Sequence, residues 1–247
     1  MTQAVLLSNK RTGSTFMQEA LDSHPNVTSL DEMFMVSTKI TERRGYDFYK
    51  TKREQENMKI PQYLDWIASQ DTNTCFRLIY NQDQHYNVLK YIADRNMPVI
   101  HLVRDPIDIV VSLACKFKHI KPDQTVKVDV KDFIFLTRKH IKIRNDYRDK
   151  LASRECIVYE TNYENMFGKQ EGDVEDIKLV GSFNIRSNQR TYVDENINRN
   201  ICEFLNIENV PMWSNVTKKF TLPREEKISN WDEVQKALTN ENLISNR

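Results

Sequence analysis

The chain has 247 residues, a length that suits one α/β domain with a substantial hydrophobic core. It carries 36 Lys and Arg residues against 35 Asp and Glu residues, and the resulting net charge of +1 argues against a globally basic nucleic-acid binder. Only five residues are glycine, where average usage of about 7% predicts roughly seventeen. Neither the dinucleotide-binding G-x-G-x-x-G nor the phosphate-binding G-x-x-x-x-G-K-[ST] sequence occurs. We therefore expect residues 1–247 to form a single domain that binds its ligands without a glycine-rich loop.

The first quarter of the chain follows a strand, loop, helix pattern. Residues 4–8 form a short apolar run, and apolar residues then recur at helical spacing up to His24. A second short strand is expected at 27–30. Residues 39–60 are strongly charged, which predicts a lid-like segment.

The rest of the chain alternates between strand and helix patterns. The expected elements are a strand at 75–80, a helix at 86–95, a strand at 99–103, a helix that starts at Pro106, a helix at 131–152, a strand at 156–159, a helix at 193–205, and a last helix from a Ser229 cap to Leu238. Strands that alternate with helices imply a parallel sheet covered on both faces. The predicted fold is therefore α/β, with three layers.

No run approaches the ~20 apolar residues of a membrane span, and the first residues lack the pattern of a secretory signal. The four cysteines are widely separated and form no C-x-x-C pair, which disfavours a metal or redox site and indicates reduced thiols. They are Cys75, Cys115, Cys156 and Cys202. We expect a cytoplasmic protein that does not bind a metal or a membrane.

The loop after the first strand has the composition of an anion site. Backbone N–H groups and the positive end of a helix dipole converge where a buried strand passes into a helix. Arg11 adds a cation, Thr12, Ser14 and Thr15 add hydroxyl groups, and Gly13 would let the backbone approach an anion without a Cβ in the way. An ordinary turn followed by a serine cap remains the alternative.

The strand at 99–103 is followed by a second candidate anion site. Arg104 stands at its carboxyl end, Pro106 opens the next helix, and Ser112 lies two turns into that helix. The alternative is an ion pair between Arg104 and Asp105 or Asp108.

In combination, Arg-Thr-Gly-Ser-Thr at 11–15 and Arg-Asp-Pro-Ile-Asp-Ile-Val-Val-Ser at 104–112 resemble the two signature motifs of sulfotransferases that use 3′-phosphoadenosine 5′-phosphosulfate (PAPS). The resemblance implies a P-loop-like fold, and PAPS as the donor, with 3′-phosphoadenosine 5′-phosphate (PAP) as the product. It assigns residues 11–15 to the 5′-phosphosulfate and Arg104 and Ser112 to the 3′-phosphate. Tyr-Glu-Asn-Met at 163–166 is similar to a family segment near the adenine, which nominates Tyr163, and Ile-Ser-Asn-Trp at 228–231 is similar to a C-terminal motif of bacterial members.

Two motifs of the cytosolic steroid and phenol sulfotransferases are absent. Arg-Leu-Ile at 77–79 stands where those enzymes have Lys-x-His, so that Arg77 replaces the lysine and the histidine is missing. Their C-terminal Arg-Lys-Gly is also missing, and Lys-Lys-Phe at 218–220 is only a loose substitute. The C-terminal part of the 3′-phosphate site is therefore not assigned.

Catalysis by sulfuryl transfer needs a proton acceptor on one side of the sulfur and cations on the other. Glu32 matches the glutamate that bacterial and carbohydrate sulfotransferases carry shortly after the first helix, and it is nominated as the general base. The adjacent Asp31 is the alternative base. Arg11, with Lys10 as a possible helper, would stabilise the departing 5′-phosphate. No metal is required.

The acceptor is expected to be a small polar molecule, such as a natural product or a sugar, that receives the sulfuryl group on a hydroxyl or an amine. Asp31, Arg77 and Asp83 are candidate contacts, and the segments 33–72 and 167–192 are expected to shape the pocket. The protein would be a monomer or homodimer.

Two other functions remain open. One is a nucleotide kinase, although the phosphate-loop lysine and an evident magnesium ligand are missing. The other is a non-catalytic nucleic-acid binder that uses residues 115–150, where eleven Lys and Arg residues stand against five Asp residues.

Overall fold

A computed structural model of the protein describes residues 2–34, 57–69, 72–118, 120, 124–172, 178–180, 184–217 and 222–244. Most of the predicted lid at 39–60 lies outside these residues, as does the Lys-Lys-Phe segment at 218–220.

The centre of the molecule is a five-stranded parallel sheet. Its strands are β1 (Gln3–Ser8), β2 (Val27–Glu32), β3 (Asn73–Ile79), β4 (Val99–Val103) and β5 (Val158–Asn162). They lie in the order β2-β3-β1-β4-β5, and all pairs are parallel. The expectation of a parallel sheet is confirmed. Because all carboxyl ends meet at one edge, the segments that follow β1, β2, β3 and β4 are neighbours there.

Helices cover both faces of this sheet. The described helices are α1 (Ser14–Asp22), α2 (Ile60–Ala68), α3 (Tyr80–Tyr86), α4 (Val88–Ala93), α5 (Pro106–Phe117), α6 (Val130–Ser153), α7 (Glu195–Leu205), α8 (Arg224–Lys227) and α9 (Trp231–Asn240), with a 3₁₀ turn at Tyr163–Asn165. Side chains of β1 alternate between the faces. Val5 and Leu7 pack toward α2, α4 and α6, whereas Ala4 and Leu6 pack toward α1 and α7. None of the described helices is long and apolar enough to cross a membrane.

A second, antiparallel sheet was not foreseen from the sequence. It contains β6 (Phe167–Glu171), β7 (Lys178–Val180), β8 (Asn184–Val193) and β9 (Trp213–Thr217). β6 and β7 pair with one edge of β8, and β9 pairs with the other. The sheet is joined to α1 by a hydrogen bond from the Ser214 hydroxyl to Glu19 and by one from the Trp213 N–H to the Ser23 hydroxyl. Most of the segment 167–192, expected to be a loop, is therefore β-structure beside α1.

Several predicted boundaries were wrong. The expected helix at 86–95 is the shorter α4, Val88–Ala93, and Asn87, with a left-handed φ of 53°, separates it from α3, which ends at Tyr86. The strand expected at 156–159 occupies 158–162 instead. The helix expected from residue 193 begins at Glu195, where the Asp194 carboxylate accepts from the N–H groups of Asn196 and Ile197. Ser229 does not cap the last helix, which starts at Trp231.

A buried polar chain connects β4 to the outside of the sheet. His101, on β4, has no exposed surface. One ring nitrogen lies 2.6 Å from the hydroxyl of Tyr80, and the other lies 3.0 Å from Glu160 on β5. Arg148 also binds both carboxylate oxygens of Glu160. The hydrogen bond from His101, with the help of Arg148, lowers the pKa of Glu160 to about 2.

This lowered pKa predicts a pH-dependent contribution to stability. The ionised Glu160 stabilises the folded state above its ordinary pKa of 4.5, and the contribution is lost as the pH falls toward 2. We expect Glu160→Gln to lower the free energy of unfolding at pH 7, and to lose less stability than the wild type between pH 5 and pH 2. The effect is modest because a third of the side chain is exposed. Urea denaturation at several pH values measures it, and Glu241→Gln, which removes an exposed ion pair with Arg138, is the control. Parallel pH profiles for wild type and Glu160→Gln would contradict the prediction.

Candidate active site

The loop between β1 and α1 is shaped to present backbone N–H groups. Arg11 and Gly13 both have positive φ values, of 67° and 81°. Gly13 is the N-cap of α1, and no side chain accepts a hydrogen bond from the first turn of the helix at this cap. The N–H groups at the start of a helix have no partner within the helix. Together with the helix dipole, they favour an anion at this point.

The reason for glycine at position 13 differs from the one expected from the sequence. A Cβ built on Gly13 would lie 2.3 Å from the ring of Tyr163 and 2.8 Å from Met166, so it would meet protein side chains and not an anion. The positive φ of Gly13 adds a second requirement for glycine. Gly13 therefore allows the 163–166 segment to pack against the loop.

We expect Gly13→Ala to destabilise the protein by about 1 to 3 kcal/mol, because it adds both backbone strain and a clash. The clash involves the Tyr163 ring, so the cost should fall when the ring is absent. Chemical denaturation of Gly13→Ala, Tyr163→Ala and the double variant measures this coupling. Strictly additive losses of stability would show that the ring is not what the new Cβ meets.

The two predicted anion motifs come together around Ser112. The Nε of Arg11 donates to the Ser112 hydroxyl at 3.0 Å, and Nη1 of Arg104 donates to the Arg11 carbonyl at 2.9 Å. The Arg104 guanidinium also stacks on the Tyr163 ring, 4.1 Å from its centroid. Arg11, Arg104, Ser112 and Tyr163 thus form one continuous cluster.

This cluster is strongly positive. Burial, followed by the charge of Arg104, lowers the pKa of Arg11. Burial, followed by the charges of Arg11 and Lys10, lowers the pKa of Lys116, which lies one helical turn beyond Ser112. Among the residues that the structure describes, no carboxylate lies within ion-pair distance of Arg11 or Arg104. Like charges this close are costly without a counter-charge, so the cluster favours a bound anion.

The alternative partners proposed for Arg104 bind another residue. Nη1 of Arg224, on α8, lies 2.9 Å from Asp105 and 3.6 Å from Asp108. Asp105 also caps α5 by accepting from the Ile107 N–H. These carboxylates are therefore engaged with Arg224 and the helix end, while Arg104 turns toward Arg11.

The remaining loop residues have distinct surroundings. The hydroxyl of Thr12 is buried and donates to the Asn9 carbonyl at 2.8 Å, so it fixes the turn. Lys10 is exposed. Ser14 is buried in the first turn of α1, and the hydroxyl of Thr15 accepts from Nη1 of Arg77 at 3.0 Å.

A second polar cluster surrounds Glu32 at the end of β2. Arg77, buried on β3, binds one oxygen of Glu32 through Nη2 at 2.8 Å and also binds Asp31. Gln82, on α3, donates to the other Glu32 oxygen at 2.8 Å. Arg77 therefore links both candidate bases to Thr15 on the anion loop, and Gln82 helps to fix the orientation of Glu32.

The expected acceptor contact at Asp83 does not fit its position. Asp83 has no exposed surface. Its carboxylate accepts from the Leu89 N–H at 2.6 Å and from the Tyr147 hydroxyl at 3.0 Å, and it pairs with Lys150. These contacts hold α3, α4 and α6 together, so we assign Asp83 to the core and remove it from the candidate site. Among the described residues, no three His, Cys, Asp or Glu side chains are grouped as metal ligands.

A family model described as "Sulfotransferase domain" matches residues 1–232. The chain belongs to the sulfotransferase family. The resemblance seen in the two anion motifs is therefore confirmed at the level of the family.

A solved bacterial sulfotransferase structure shares this fold. A sulfotransferase from Alicyclobacillus acidocaldarius superimposes with a TM-score of 0.50 at 12% identity, over 99% of this chain and 96% of the bacterial one. Mouse sulfotransferase SULT7A1, solved in complex with PAP, gives a TM-score of 0.40 at 12% identity. The match covers 66% of this chain and about half, 52%, of the mouse chain. A search of curated proteins found no match.

Sequence reasoning missed three residues of this sulfotransferase that the geometry places beside the candidate site. They are Gln82, Lys116 and Arg224. Lys116 had a signal, since it follows Ser112 by four residues on a predicted helix and so shares its face. Gln82 lies only three residues beyond the end of β3, but the turn that brings it to Glu32 carries no sequence motif. Arg224 contacts residues more than a hundred positions away, which no local pattern reveals.

Proposed function

We propose that this sulfotransferase moves a sulfuryl group from PAPS to a hydroxyl or an amine of a small acceptor, as a single domain spanning residues 1–247. The observation that carries the proposal is the contact of Arg11 with Ser112 and of Arg104 with the Arg11 carbonyl, beside the uncapped start of α1. PAPS has negative groups at both its 5′ and 3′ ends, so it matches two cationic motifs that share one cluster.

The described residues fit such a donor. Arg104 and Ser112 are assigned to the 3′-phosphate, and residues 11–15 with the N–H groups of α1 are assigned to the 5′ side. Tyr163, which stacks on Arg104, would form the wall toward the adenine. Lys116 adds positive charge to the same cluster.

Glu32 is proposed as the general base. One of its oxygens accepts from Arg77 and the other from Gln82, which holds the carboxylate in a fixed orientation. An ionised carboxylate only accepts hydrogen bonds, so the group is suited to take the proton of an acceptor hydroxyl or amine. Asp31 shares Arg77 and remains the alternative base.

The loop between β1 and α1 would stabilise the negative charge that develops on the departing 5′-phosphate. PAPS supplies the sulfuryl group, and PAP leaves as the acceptor takes it. Arg11 is partly buried within this loop, and Lys10, beside it, is exposed. Preorganised donors of this kind stabilise negative charge as it develops. No metal is assigned a role, and the proposed setting is the cytoplasm.

Calorimetric titration with PAP, adenosine 5′-monophosphate (AMP) and Mg²⁺–ATP tests the donor. We expect PAP to bind more tightly than AMP, because only PAP presents a 3′-phosphate to Arg104 and Ser112. A preference for Mg²⁺–ATP over PAP would favour the nucleotide kinase and overturn the proposal.

In the folded protein, ion pairs weaken the case that the basic segment at 115–150 binds nucleic acid. On α6, Arg138 pairs with Glu241, Arg148 with Glu160, and Lys150 with Asp83. These ion pairs neutralise much of the charge that the sequence count suggested. We therefore propose a small-molecule acceptor and no nucleic-acid partner.

A further inference from the structure

The charge around the proposed active site bears on the class of acceptor. Three acidic residues near the carboxyl edge of the sheet, Asp31, Glu32 and Asp83, would favour a polar or cationic acceptor if their carboxylates were available to it. Asp31 and Glu32 are both paired with Arg77, and Asp83 is buried against Lys150. A cationic acceptor would have to compete with these internal cations for the same carboxylates.

A small cleft lies at the same edge, between α6 and the loops that follow β1 and β4. It is small and partly open to solvent, and its lining includes Tyr80, Arg104, His140 and Arg144. Its enclosed space is far below the about 300 Å³ at which pockets for whole drug-sized ligands start, so it can receive at most one small polar group at its mouth.

Two polar atoms at the cleft are buried hydrogen-bond donors. They are the Nε atoms of Arg104 and Arg144, and no group among the described residues accepts a hydrogen bond from either. A buried donor without an acceptor is costly in a folded protein. The two donors are therefore available to the acceptor atoms of a bound ligand or water.

His140 adds a third donor to the lining. Its Nδ1 lies 2.9 Å from the side-chain nitrogen of Asn9, which can only donate. Nδ1 therefore accepts, and the proton of the neutral ring is on Nε2. Burial, followed by the charge of Lys139, lowers the pKa of His140 and favours this neutral form.

The lining of the cleft and the surroundings of the proposed base share helix α3. Tyr80, in its lining, follows β3 directly, and β3 carries Arg77. Gln82, in the same helix as Tyr80, holds Glu32. Arg144 belongs to α6 and is not part of the Arg11, Ser112 and Lys116 cluster.

We propose that this cleft binds an anionic group of the acceptor, a carboxylate, sulfate or phosphate, through Arg144 and His140, while Arg104 remains assigned to the 3′-phosphate. The inference rests on the proposed sulfotransfer, since it names the class of acceptor for that reaction. The acceptor would be an acid whose hydroxyl or amine faces Glu32 while its anionic group is held in the cleft.

Inorganic sulfate is the probe, titrated into the protein saturated with PAP at constant ionic strength. We expect saturable binding to the wild type, and an affinity about tenfold or more weaker in Arg144→Gln, which loses a charge-assisted contact. Arg144→Lys, which keeps the charge without the fork of donors, should recover part of the affinity. Arg138→Gln is the matched control, because it makes the same change on an exposed face of α6.

The other outcomes would overturn either the acceptor site or the PAPS donor. Equal sulfate affinity in wild type and Arg144→Gln, with PAP binding intact in both, would overturn the acceptor site. Loss of the wild-type sulfate response once PAP is bound would assign the cleft to the nucleotide and also overturn it. Failure of the wild type to bind PAP would overturn the donor, whereas an Arg144-dependent sulfate response in that protein would still support an anion site.

Discussion

Glu32→Gln should lower kcat by about 10²- to 10⁴-fold while the affinity for PAP stays near that of the wild type. The amide has the size of the carboxylate and can keep a hydrogen bond with Arg77 or Gln82, so the surroundings should hold their positions. What it loses is the ability to take a proton. Steady-state kinetics with PAPS and calorimetry with PAP measure the two effects separately.

Asp31→Asn is the matched control for this prediction. It makes the same chemical change one residue away, on the other carboxylate bound by Arg77. We expect a smaller loss in kcat than for Glu32→Gln, because only Glu32 is also oriented by Gln82. Wild-type turnover in Glu32→Gln, or a larger loss in Asp31→Asn, would reverse the assignment of the base.

Arg104→Ala should weaken PAP binding by roughly 10- to 150-fold, which corresponds to about 1.5 to 3 kcal/mol for a charge-assisted contact. In the structure Arg104 is held toward the site by the Arg11 carbonyl and the Tyr163 ring. Its removal takes away one of the two convergent arginines. Calorimetric titration with PAP gives the loss directly.

Comparison with AMP localises this effect. AMP lacks the 3′-phosphate, so Arg104→Ala should weaken its binding much less than that of PAP. Arg138→Ala, which removes an exposed arginine on α6, should leave both affinities unchanged. An equal loss for PAP and AMP would show that Arg104 acts through the shape of the loop and not through the 3′-phosphate.

Patterns of local spacing predicted the parallel sheet and the anion motifs. Strands β1 and β4 are apolar runs; Arg11 follows β1 by three residues, and Arg104 follows β4 directly. Each of these patterns lies within one short segment of the sequence, so it can be recognised without distant contacts. Little more is needed to predict the fold class. In a parallel sheet, the carboxyl ends of neighbouring strands lie at one edge. The sequence therefore predicts that Arg11, Arg104 and Ser112 lie at the same edge of the sheet.

The parts that the sequence did not reveal depend on distant contacts. The β6–β9 sheet is formed by polar strands whose partners lie up to 32 positions apart, as Ile185 and Thr217 do, and it is also held to α1. The role of Gly13 depends on Tyr163, which lies 150 positions away, and so it was misjudged as room for an anion. Asp83 looked available because its ion-pair partner Lys150 lies 67 positions further along the chain.

The most direct measurement is mass spectrometry of the protein incubated with PAPS and a panel of hydroxyl and amine acceptors that includes acids and their neutral amides. The account predicts that at least one acceptor gains a single sulfonate group, with PAP formed in equal amount and with both products depressed in Glu32→Gln. Intact PAPS with every acceptor of the panel, in a protein that consumes ATP instead, would contradict it.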